Sequence, residues 1–365
     1  MKIKEVVQLL DQLAPSSYQE SYDNAGLITG NAALVCTGVV CTLDATEEVI
    51  LEAKEKGCNL VVAHHPIIFA GLKKITGKNY VERAIITAIK NDIAIYAIHT
   101  NLDNLISGVN GKMADKLGIK DRKVLLHKQN NLMKLIVFVP VAEAEKVREA
   151  LFEAGGGNIG KYSECSFSIR GTGTFKPGEG TNPHTGTVGK RETTDEEKIE
   201  VILPAYLKEK LVMAMTDAHP YEEVAYDLVA LSNYFQEVGS GLIGELPEEM
   251  SETEFLQLAK EKFNLRVIRH TPLLQKKVKK VALCGGAGSF LIKNALSLGA
   301  DVYITADVKY HEFFDAENSM VIADIGHWES EQFTVELLYD VLRTEFINFA
   351  ILKSEIKTNP VNYFT

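Results

Sequence analysis

The sequence has few cysteines and no long apolar run, and each shortage excludes a class of protein. Its five cysteines include no Cys-x-x-Cys pair, so a structural zinc site built from thiolates is not expected. Several cysteines lie in apolar, strand-like segments, which predicts buried free thiols in the reducing cytoplasm. No apolar run approaches the roughly 20 residues needed to cross a bilayer, so we expect a cytoplasmic protein without membrane spans.

Positive charge is also scarce, because 39 Lys and Arg residues face 49 Asp and Glu residues and the formal net charge is −10. Nucleic acids and membrane surfaces are bound through clustered Lys and Arg, so a general binder of either is not expected. The N-terminal segment has no small-residue cleavage site. It places Ile3, Val6 and Leu10 on one stripe, which predicts a folded first helix.

The chain has 365 residues, of which 46% are hydrophobic, enough for two or three domains. Short apolar runs alternate with amphipathic stretches from Leu34 to Gly118, and the same rhythm returns after Val281. Such alternation predicts strands and helices that build a largely parallel sheet covered on both faces. Two α/β segments, residues 1–127 and 233–365, are therefore expected to form one layered α/β core.

The middle of the chain, residues 128–232, has a different pattern. It reads as strand, helix, strand, strand, helix and strand, the order of a ferredoxin-like α+β domain inserted into the core. A glycine-rich polar stretch from Gly171 to Lys198 predicts a long exposed loop within it.

The densest chemical signal is a strand of small apolar residues that ends in His64 and His65. Ligands in open α/β sheets bind at the carboxyl ends of strands, where this pair falls. Neighbouring side chains of an extended chain point in opposite directions, and Pro66 favours that geometry for His65. Two adjacent imidazoles therefore suit two neighbouring metal ions, although local hydrogen bonding explains a lone pair equally well.

A second apolar strand ends in His99, Thr100, Asn101 and Asp103. If it lies beside the first, a carboxylate and another imidazole reach the same edge of the sheet, and we expect Asp103 to be a ligand. His99 is either a further ligand or a residue that orients one by hydrogen bonding.

A third strand leads to His327 and, four residues later, Glu331. Residues at i and i+4 share one face of a helix and can grip the same metal centre. Alone, Glu331 could equally be an acidic residue that complements a helix dipole. Three strand ends with His or carboxylate clusters nevertheless converge on one interpretation, a metal site.

Three imidazoles and two carboxylates suit some metals better than others. Calcium and magnesium prefer oxygen ligands, so zinc is the first choice, with iron, manganese, cobalt and nickel as alternatives. Five protein ligands for two ions leave coordination positions open for water, as in catalytic sites.

Two further motifs follow strands near the C-terminus. The segment TADVKYH offers His311 as a candidate general acid or base, with a solvated helix start as the alternative. The turn CGGAGS, from Cys284 to Ser289, can cradle an anion through its backbone N–H groups, although tight strand-to-helix packing explains it equally well.

Taken together, the motifs SYDNAGLITG, AHHPIIF, HTNLD, CGGAGS, TADVKYH and DIGHWESE and the stretch around Asp44 resemble the GTP cyclohydrolase I type 2 homologues, also called the Ngg-interacting factor three-like family. The resemblance covers both flanking segments and implies a three-layer α/β core. It also implies a dinuclear site in which His64 and Asp103 serve one ion, His65 and His327 serve the other, and Glu331 bridges both. Tyr22 stands where many relatives carry Trp, a departure that concerns the lining of the pocket.

The inserted domain resembles the PII and CutA modules of longer family members, and the family resemblance implies a ring-shaped homohexamer. Two functions follow. The first is a hydrolase in which two ions activate a bridging water against a nucleotide or related metabolite, with His311 and Glu331 as catalytic residues. The second is a metal-binding regulatory protein whose inserted domain senses a small effector or a partner.

Overall fold

The computed structural model describes residues 1–364, which form two compact units. Unit 1 combines residues 1–127 with the chain from Glu237 onward, and unit 2 spans Lys128–Gln236. The second boundary lies four residues beyond Ser232, the last inserted residue predicted from the sequence. No Gly or Pro marks the chain between Ser232 and Gln236, so local composition offers no signal for the transition.

The helices and strands follow one another in the order that the alternating pattern predicts. The first segment of unit 1 contains α1 (Ile3–Leu13), β1 (Gly26–Thr29), β2 (Val39–Asp44), α2 (Glu47–Glu55), β3 (Leu60–His65), α3 (Tyr80–Lys90), β4 (Ala94–Ala97), α4 (Thr100–Asp103), α5 (Val109–Leu117) and β5 (Lys120–His127). Unit 2 contains β6 (Leu132–Pro140), α6 (Ala144–Glu153), β7 (Ser166–Phe175), β8 (Glu192–Pro204), α7 (Lys208–Ala218) and β9 (Tyr226–Ala230). The second segment of unit 1 contains β10 (Gly239–Ser251), α8 (Glu252–Lys262), β11 (Arg269–His270), β12 (Lys277–Ala287), α9 (Ile292–Ser297), β13 (Val302–Ala306), β14 (Val321–Asp324), α10 (His327–Glu331), α11 (Thr334–Glu345) and β15 (Ile351–Lys353).

The first sheet of unit 1 has the order β1-β4-β3-β2-β15, and all of its neighbours except β1 and β4 run parallel. Both faces are apolar because both are covered by helices. Leu60 and Val62 pack with α1 and α11, whereas Val61 and Ala63 pack with α2 and α3. The parallel register sets Asp44 directly beside His65, so the carboxyl ends of β2 and β3 present their polar side chains at one edge.

The second sheet of unit 1 has the order β11-β14-β13-β12-β10-β5, in which β12, β13 and β14 are parallel. Its strand β14 ends at Asp324, and two residues separate it from α10, which begins at His327. Helix α8 opens with the predicted capping box, in which Ser251 Oγ accepts from the Glu254 backbone and the Glu254 carboxylate accepts from the Ser251 N–H.

Unit 2 is a four-stranded antiparallel sheet of order β7-β8-β6-β9 with two helices on one face. Alternate residues such as Val137, Ile199 and Val201 are fully buried beneath α6 and α7. The loop predicted from Gly171 to Lys198 is shorter in the structure, because β7 and β8 pair as far as Phe175 and Glu192. Threonines at the start of β8 continue the strand, so the connecting loop spans residues 176–191.

Two expectations about composition concern the described part of the chain. All five cysteines are free, and every one except Cys165 is buried, as the apolar surroundings predict. Within residues 1–364, no helix is both long and apolar enough to cross a membrane.

Candidate metal centre

The five predicted ligands meet in unit 1, at the edge where strands of both sheets end. His64 and His65 are the last residues of β3, and Asp103 is the last residue of the short helix α4 that follows β4. His327 and Glu331 begin and end α10, immediately after β14. The i, i+4 spacing turns both toward the same point, as the sequence predicts.

Glu331 is the centre of this cluster. Its Oε2 lies 2.9 Å from His65 Nε2, 3.2 Å from His327 Nε2 and 3.9 Å from His64 Nε2. The residue is only 3% exposed. One carboxylate oxygen therefore faces three imidazole nitrogens away from water.

His64 and Asp103 form the other side of the cluster. His64 Nε2 and Asp103 Oδ1 are buried side-chain atoms that lack a hydrogen-bond partner among the described residues, and they face each other at 3.5 Å. Buried polar atoms are normally paired because burying them unpaired costs about 1–3 kcal/mol. An imidazole nitrogen and a carboxylate oxygen exposed to the same small space are complementary to a cation between them.

Hydrogen bonds on the far side of each ring fix its direction. The Nδ1 atom of each ring forms a hydrogen bond of 2.7–2.9 Å. Its partner is the Ile98 carbonyl for His64, the Asp44 carboxylate for His65 and the Asp307 carboxylate for His327. With Nδ1 occupied in this way, each ring directs Nε2 toward Glu331. Metal-ligating histidines are typically oriented by such partners.

The ionisation of the cluster is strongly perturbed. Burial alone would lower the pKa of His65 and His327, but hydrogen bonds to Asp44 and Glu331 raise the pKa of His65 to about 9, and those to Asp307 and Glu331 raise that of His327 to about 11. Burial lowers the pKa of His64 to about 3. Burial also raises the pKa of Asp103, and the neighbouring Glu331 raises it further. Without a metal ion, protons therefore lie between Glu331 and the imidazoles of His65 and His327. A metal cation can replace these protons.

Two triads of ligand atoms fit cations, and they share one residue. His64, Asp103 and Glu331 form the first triad and His65, His327 and Glu331 the second, with the atoms of each within 4.8 Å of one another. His64 and His65 form a third triad with His99. The first two triads match the pairing implied by the resemblance, whereas His99 extends the set.

A glycine-rich turn lies against this cluster and does not offer the predicted anion cradle. The backbone N–H groups of Gly285, Gly286 and Gly288 donate to side chains of the protein itself, namely Asn110, Ser330 and Thr305. Gly286 has a φ of +62°, and a Cβ atom there would lie 2.4 Å from Glu331 Oε1. The turn is therefore built for a close approach to Glu331.

A model of the DUF34/NIF3 family (NGG1p interacting factor 3) matches residues 1–360. The chain belongs to this family. Its full length is also similar to bacterial proteins named GTP cyclohydrolase 1 type 2 homolog. The protein from Halalkalibacterium halodurans is 43% identical over 98% of both chains, and the one from Bacillus subtilis is 38% identical over 99% of this chain and 98% of the relative.

Solved structures of the DUF34/NIF3 family share the mixed α/β fold with its several sheets. A Bacillus cereus protein related to NIF3 is 40% identical, covers 100% of this chain and 99% of its own, and has a TM-score of 0.88. A Staphylococcus aureus protein is 30% identical with the same coverage and a TM-score of 0.78.

The cluster of this DUF34/NIF3 chain opens into a cavity of about 360 Å³. Three exposed rings lie on its walls, those of Tyr22, Phe69 and Phe290. Tyr22 thus lines the pocket, as the departure from the family pattern suggests. Among residues 1–364, the lining includes no Lys or Arg.

The sequence missed several residues that support the cluster. Asp44 could have been found, because it ends β2 at the edge where His65 ends β3. Asp23 belongs to the motif SYDNAGLITG, but its partner could not be predicted, since it lies in an irregular segment and meets His99 only through the fold, at 2.8 Å from His99 Nδ1. Burial would raise the pKa of Asp23, but hydrogen bonds from His99 and Thr100 lower it to about 2.

The structure leaves His311 outside the cluster. It lies in the 3-10 segment Tyr310–Ala316, is exposed, and contacts the rings of Tyr310 and Phe314. It does not line the cavity beside Glu331 in the single chain. The strand before it leads to the right edge of the sheet, but the positive φ of Asp307 turns that aspartate toward His327 and the chain then continues along the surface.

Proposed function

We propose that the chain is a dinuclear divalent-metal-dependent hydrolase of the DUF34/NIF3 family. One ion is held by His64 and Asp103 and the other by His65 and His327, with Glu331 shared between them. Zinc is the first choice of metal because imidazole and carboxylate ligands suit it, and iron, manganese, cobalt and nickel remain candidates.

The observation that supports this proposal most strongly is the sharing of Glu331 by two triads of ligand atoms. If the cluster only stabilised the fold, apolar side chains in place of one buried carboxylate and three imidazoles would serve better. His64 Nε2 and Asp103 Oδ1, which have no hydrogen-bond partner in the described part of the chain, also support the proposal, because a cation would satisfy both.

The residues of the chain perform the positioning. Asp44, Asp307 and the Ile98 carbonyl hold the three rings, so Nε2 of each is preorganised at the centre. Bound divalent cations would supply Lewis-acid activation of water at neutral pH. Glu331 keeps its charge because hydrogen bonds from His327 and His65 outweigh its burial and hold its pKa well below the ordinary range.

The cavity favours a substrate with a planar ring. Tyr22, Phe69 and Phe290 offer aromatic faces beside the cluster. A nucleotide or related metabolite fits this lining, consistent with the name that the relatives bear. Because the lining includes no Lys or Arg within residues 1–364, phosphate groups would have no cationic side chain to bind in the single chain.

Elemental analysis of the protein purified without added metal tests the metal centre. We expect roughly two equivalents of transition metal per chain, and a strong loss in a His64→Ala variant. Absence of bound metal after supplementation with each candidate ion would contradict the proposal.

A hydrolysis screen tests the activity. The metal-loaded protein is offered a panel of nucleotides and related heterocyclic metabolites, and a Glu331→Gln variant serves as the inactive reference. We expect turnover of at least one compound by the wild type alone. Equal turnover by both proteins, or none by either, would argue against a hydrolase.

A regulatory function is the second candidate, in which unit 2 senses an effector or partner. It is favoured by the independent core of unit 2 and by its strand order, the arrangement of a ferredoxin-like domain. Deleting residues 128–236 would leave metal-dependent activity and its control unchanged if unit 2 has no such role.

We also propose that the protein forms a homohexamer. Large exposed side chains on unit 1, among them Tyr310 and Phe314, offer apolar surface for contacts between copies. Light scattering is expected to give about six times the chain mass of 40.3 kDa. A monomer at micromolar concentration would contradict it.

A further inference from the structure

Unit 2 contains a cavity of about 380 Å³. None of the residues that line it belongs to the candidate metal centre of unit 1. Its floor is the sheet face opposite the helices, at the ends of β6, β7 and β8. The loop of residues 176–191 forms one wall, and the turn between α7 and β9 forms another. A cavity of this volume is large enough for a small organic molecule.

The walls of this cavity are aromatic. The Tyr221 ring lies 6.0 Å from that of Phe175 and 6.1 Å from that of His184, measured between centroids and tilted by about 50° in both pairs. Phe138 adds a further ring at the floor. Aromatic faces carry negative charge density and attract cations that approach within about 6 Å.

Tyr221 is held in place from below. Its backbone N–H donates to His219 Nδ1 at 3.0 Å, so the Nε2–H of His219 donates to the Phe138 carbonyl, also at 3.0 Å. His219 is only 7% exposed, and burial lowers its pKa, which keeps this ring neutral in the arrangement. The neutral His219 therefore anchors the turn of Tyr221 to strand β6.

One carboxylate is presented on the floor of the cavity. The Tyr221 hydroxyl donates to Glu196 Oε1 at 3.1 Å, and Glu196 forms no ion pair with any residue from 1 to 364. Gly173 makes room for it, because a Cβ atom there would lie 2.2 Å from Glu196 Oε2. A larger residue at position 173 would displace this carboxylate.

The loop is fastened over the same floor. The Asn182 N–H donates to Glu222 Oε1 at 3.0 Å, and the Gly189 N–H donates to the Pro177 carbonyl at 2.8 Å. These contacts hold the segment that brings His184 to Tyr221. The cavity is consequently walled by ordered chain on two sides.

Charge decides which ligand suits these walls. Three carboxylates line the cavity, those of Glu196, Glu222 and Glu223, against the single ammonium group of Lys176. An anion would be repelled, whereas a cation would gain from both the carboxylates and the rings. The aromatic walls also favour an apolar body on that cation.

We propose that unit 2 binds a small organic cation, an ammonium or amidinium ion with an apolar body. The cation contacts the Glu196 carboxylate on one side and the rings of Tyr221 and Phe175 on the other. This inference is independent of the metal centre, and it gives unit 2 a ligand of its own.

A pair of probes of nearly equal shape tests the proposal on the full-length protein. Benzamidinium carries the positive charge, and benzamide is its neutral counterpart. Saturation-transfer NMR titrations are expected to give saturable binding of benzamidinium with a Kd below about 10 mM. Benzamide is expected to bind at least about fivefold more weakly, because it lacks the cation–π and charge attraction.

Two variants locate the binding. Glu196→Gln keeps the shape of the side chain and removes its charge, and it is expected to reduce the preference for benzamidinium. Tyr221→Phe keeps the ring and loses the hydroxyl, so it should retain most of the binding. Glu209→Gln removes a carboxylate of α7 that does not line the cavity and should change nothing.

The circular dichroism spectrum of each variant is compared with that of the wild type to check that the fold is retained. The proposal is overturned if benzamidinium does not bind, if both probes bind equally, or if Glu196→Gln leaves the preference unchanged.

Discussion

The candidate metal centre of unit 1 and the cavity of unit 2 both gather carboxylates and rings, but they differ in the polar groups that they leave without a partner. In unit 1, His64 Nε2 and Asp103 Oδ1 are buried without a hydrogen-bond partner among residues 1–364, and one Glu331 oxygen faces three imidazoles. In unit 2, the Glu196 carboxylate already accepts from Tyr221, and the remaining wall is aromatic and partly open.

The difference indicates what each region binds. A buried and incomplete polar network can be completed by a bare cation, which brings charge without bulk. A partly exposed carboxylate beside open aromatic faces instead favours a larger cation that also buries apolar surface. The same residue types therefore serve different ligands according to their burial.

Removing metal ions from unit 1 is expected to have the largest effect on this contrast. Chelation is expected to lower the free energy of unfolding of unit 1 by about 4 kcal/mol when free metal had stood at about 1,000 times its Kd. Differential scanning calorimetry should show the transition of unit 1 at a lower temperature, with that of unit 2 unchanged. Restoring the metal should reverse the shift, and an equal shift of both units would contradict a site confined to unit 1.

Glu331→Gln is expected to have the next largest effect, weakening metal binding by at least about 100-fold, since it removes the shared ligand. Competition with a chromogenic chelator measures the affinity. Glu329→Gln is the matched control, because Glu329 lies on the same short helix but outside both triads. A metal affinity that is the same in both variants would break the assignment.

Asp44→Asn probes the support of the cluster, with a loss of metal affinity of about 10- to 100-fold expected because His65 loses its orienting carboxylate. The same competition assay applies. Asp340→Asn, at an exposed ion pair with Lys112, is the control that should leave affinity unchanged. If Asp44→Asn also left it unchanged, the orientation of His65 would not depend on that contact.

The smallest effect concerns a carboxylate outside both regions. Backbone N–H groups of Thr76 and Lys78 and the Thr76 hydroxyl lower the pKa of Glu82 to about 2, from an ordinary 4.5. The contribution of the Glu82 carboxylate to the free energy of unfolding is therefore fully present above pH 4.5 and is lost as the pH falls toward 2. The Tm difference between wild type and Glu82→Gln should shrink from pH 7 to pH 3, and a constant difference would contradict it.

Much of the fold could be predicted because the local pattern matches the final packing. Segments such as Thr46–Lys56 and Val302–Thr305 have the periodicity and length of the elements they form, α2 and β13. The ends were less certain. The hairpin of β7 and β8 extends past Gly171 because cross-strand pairing, which no local pattern reports, continues through Phe175.

The candidate site was partly predictable for a similar reason. The sequence predicts His64, His65 and His327 from the apolar strands that lead into them, because ligands bind at the carboxyl ends of parallel strands. Those strands, β3 and β14, belong to different sheets, and the fold brings their ends to one cluster. His311 followed a strand as well, yet its segment continues along the surface. A strand end predicts the edge of the sheet, but the conformation of the next few residues decides the direction.

The sequence by itself determined the order of helices and strands, the residue types at the strand ends and the family. Only the tertiary structure decided which nitrogen of each imidazole faces Glu331, that Asp23 meets His99, and that Gly173 opens space for Glu196. The physical reason is range. Periodicity and turn chemistry act over a few residues, whereas these contacts join residues far apart in the chain, and only the packed fold sets the distances between them.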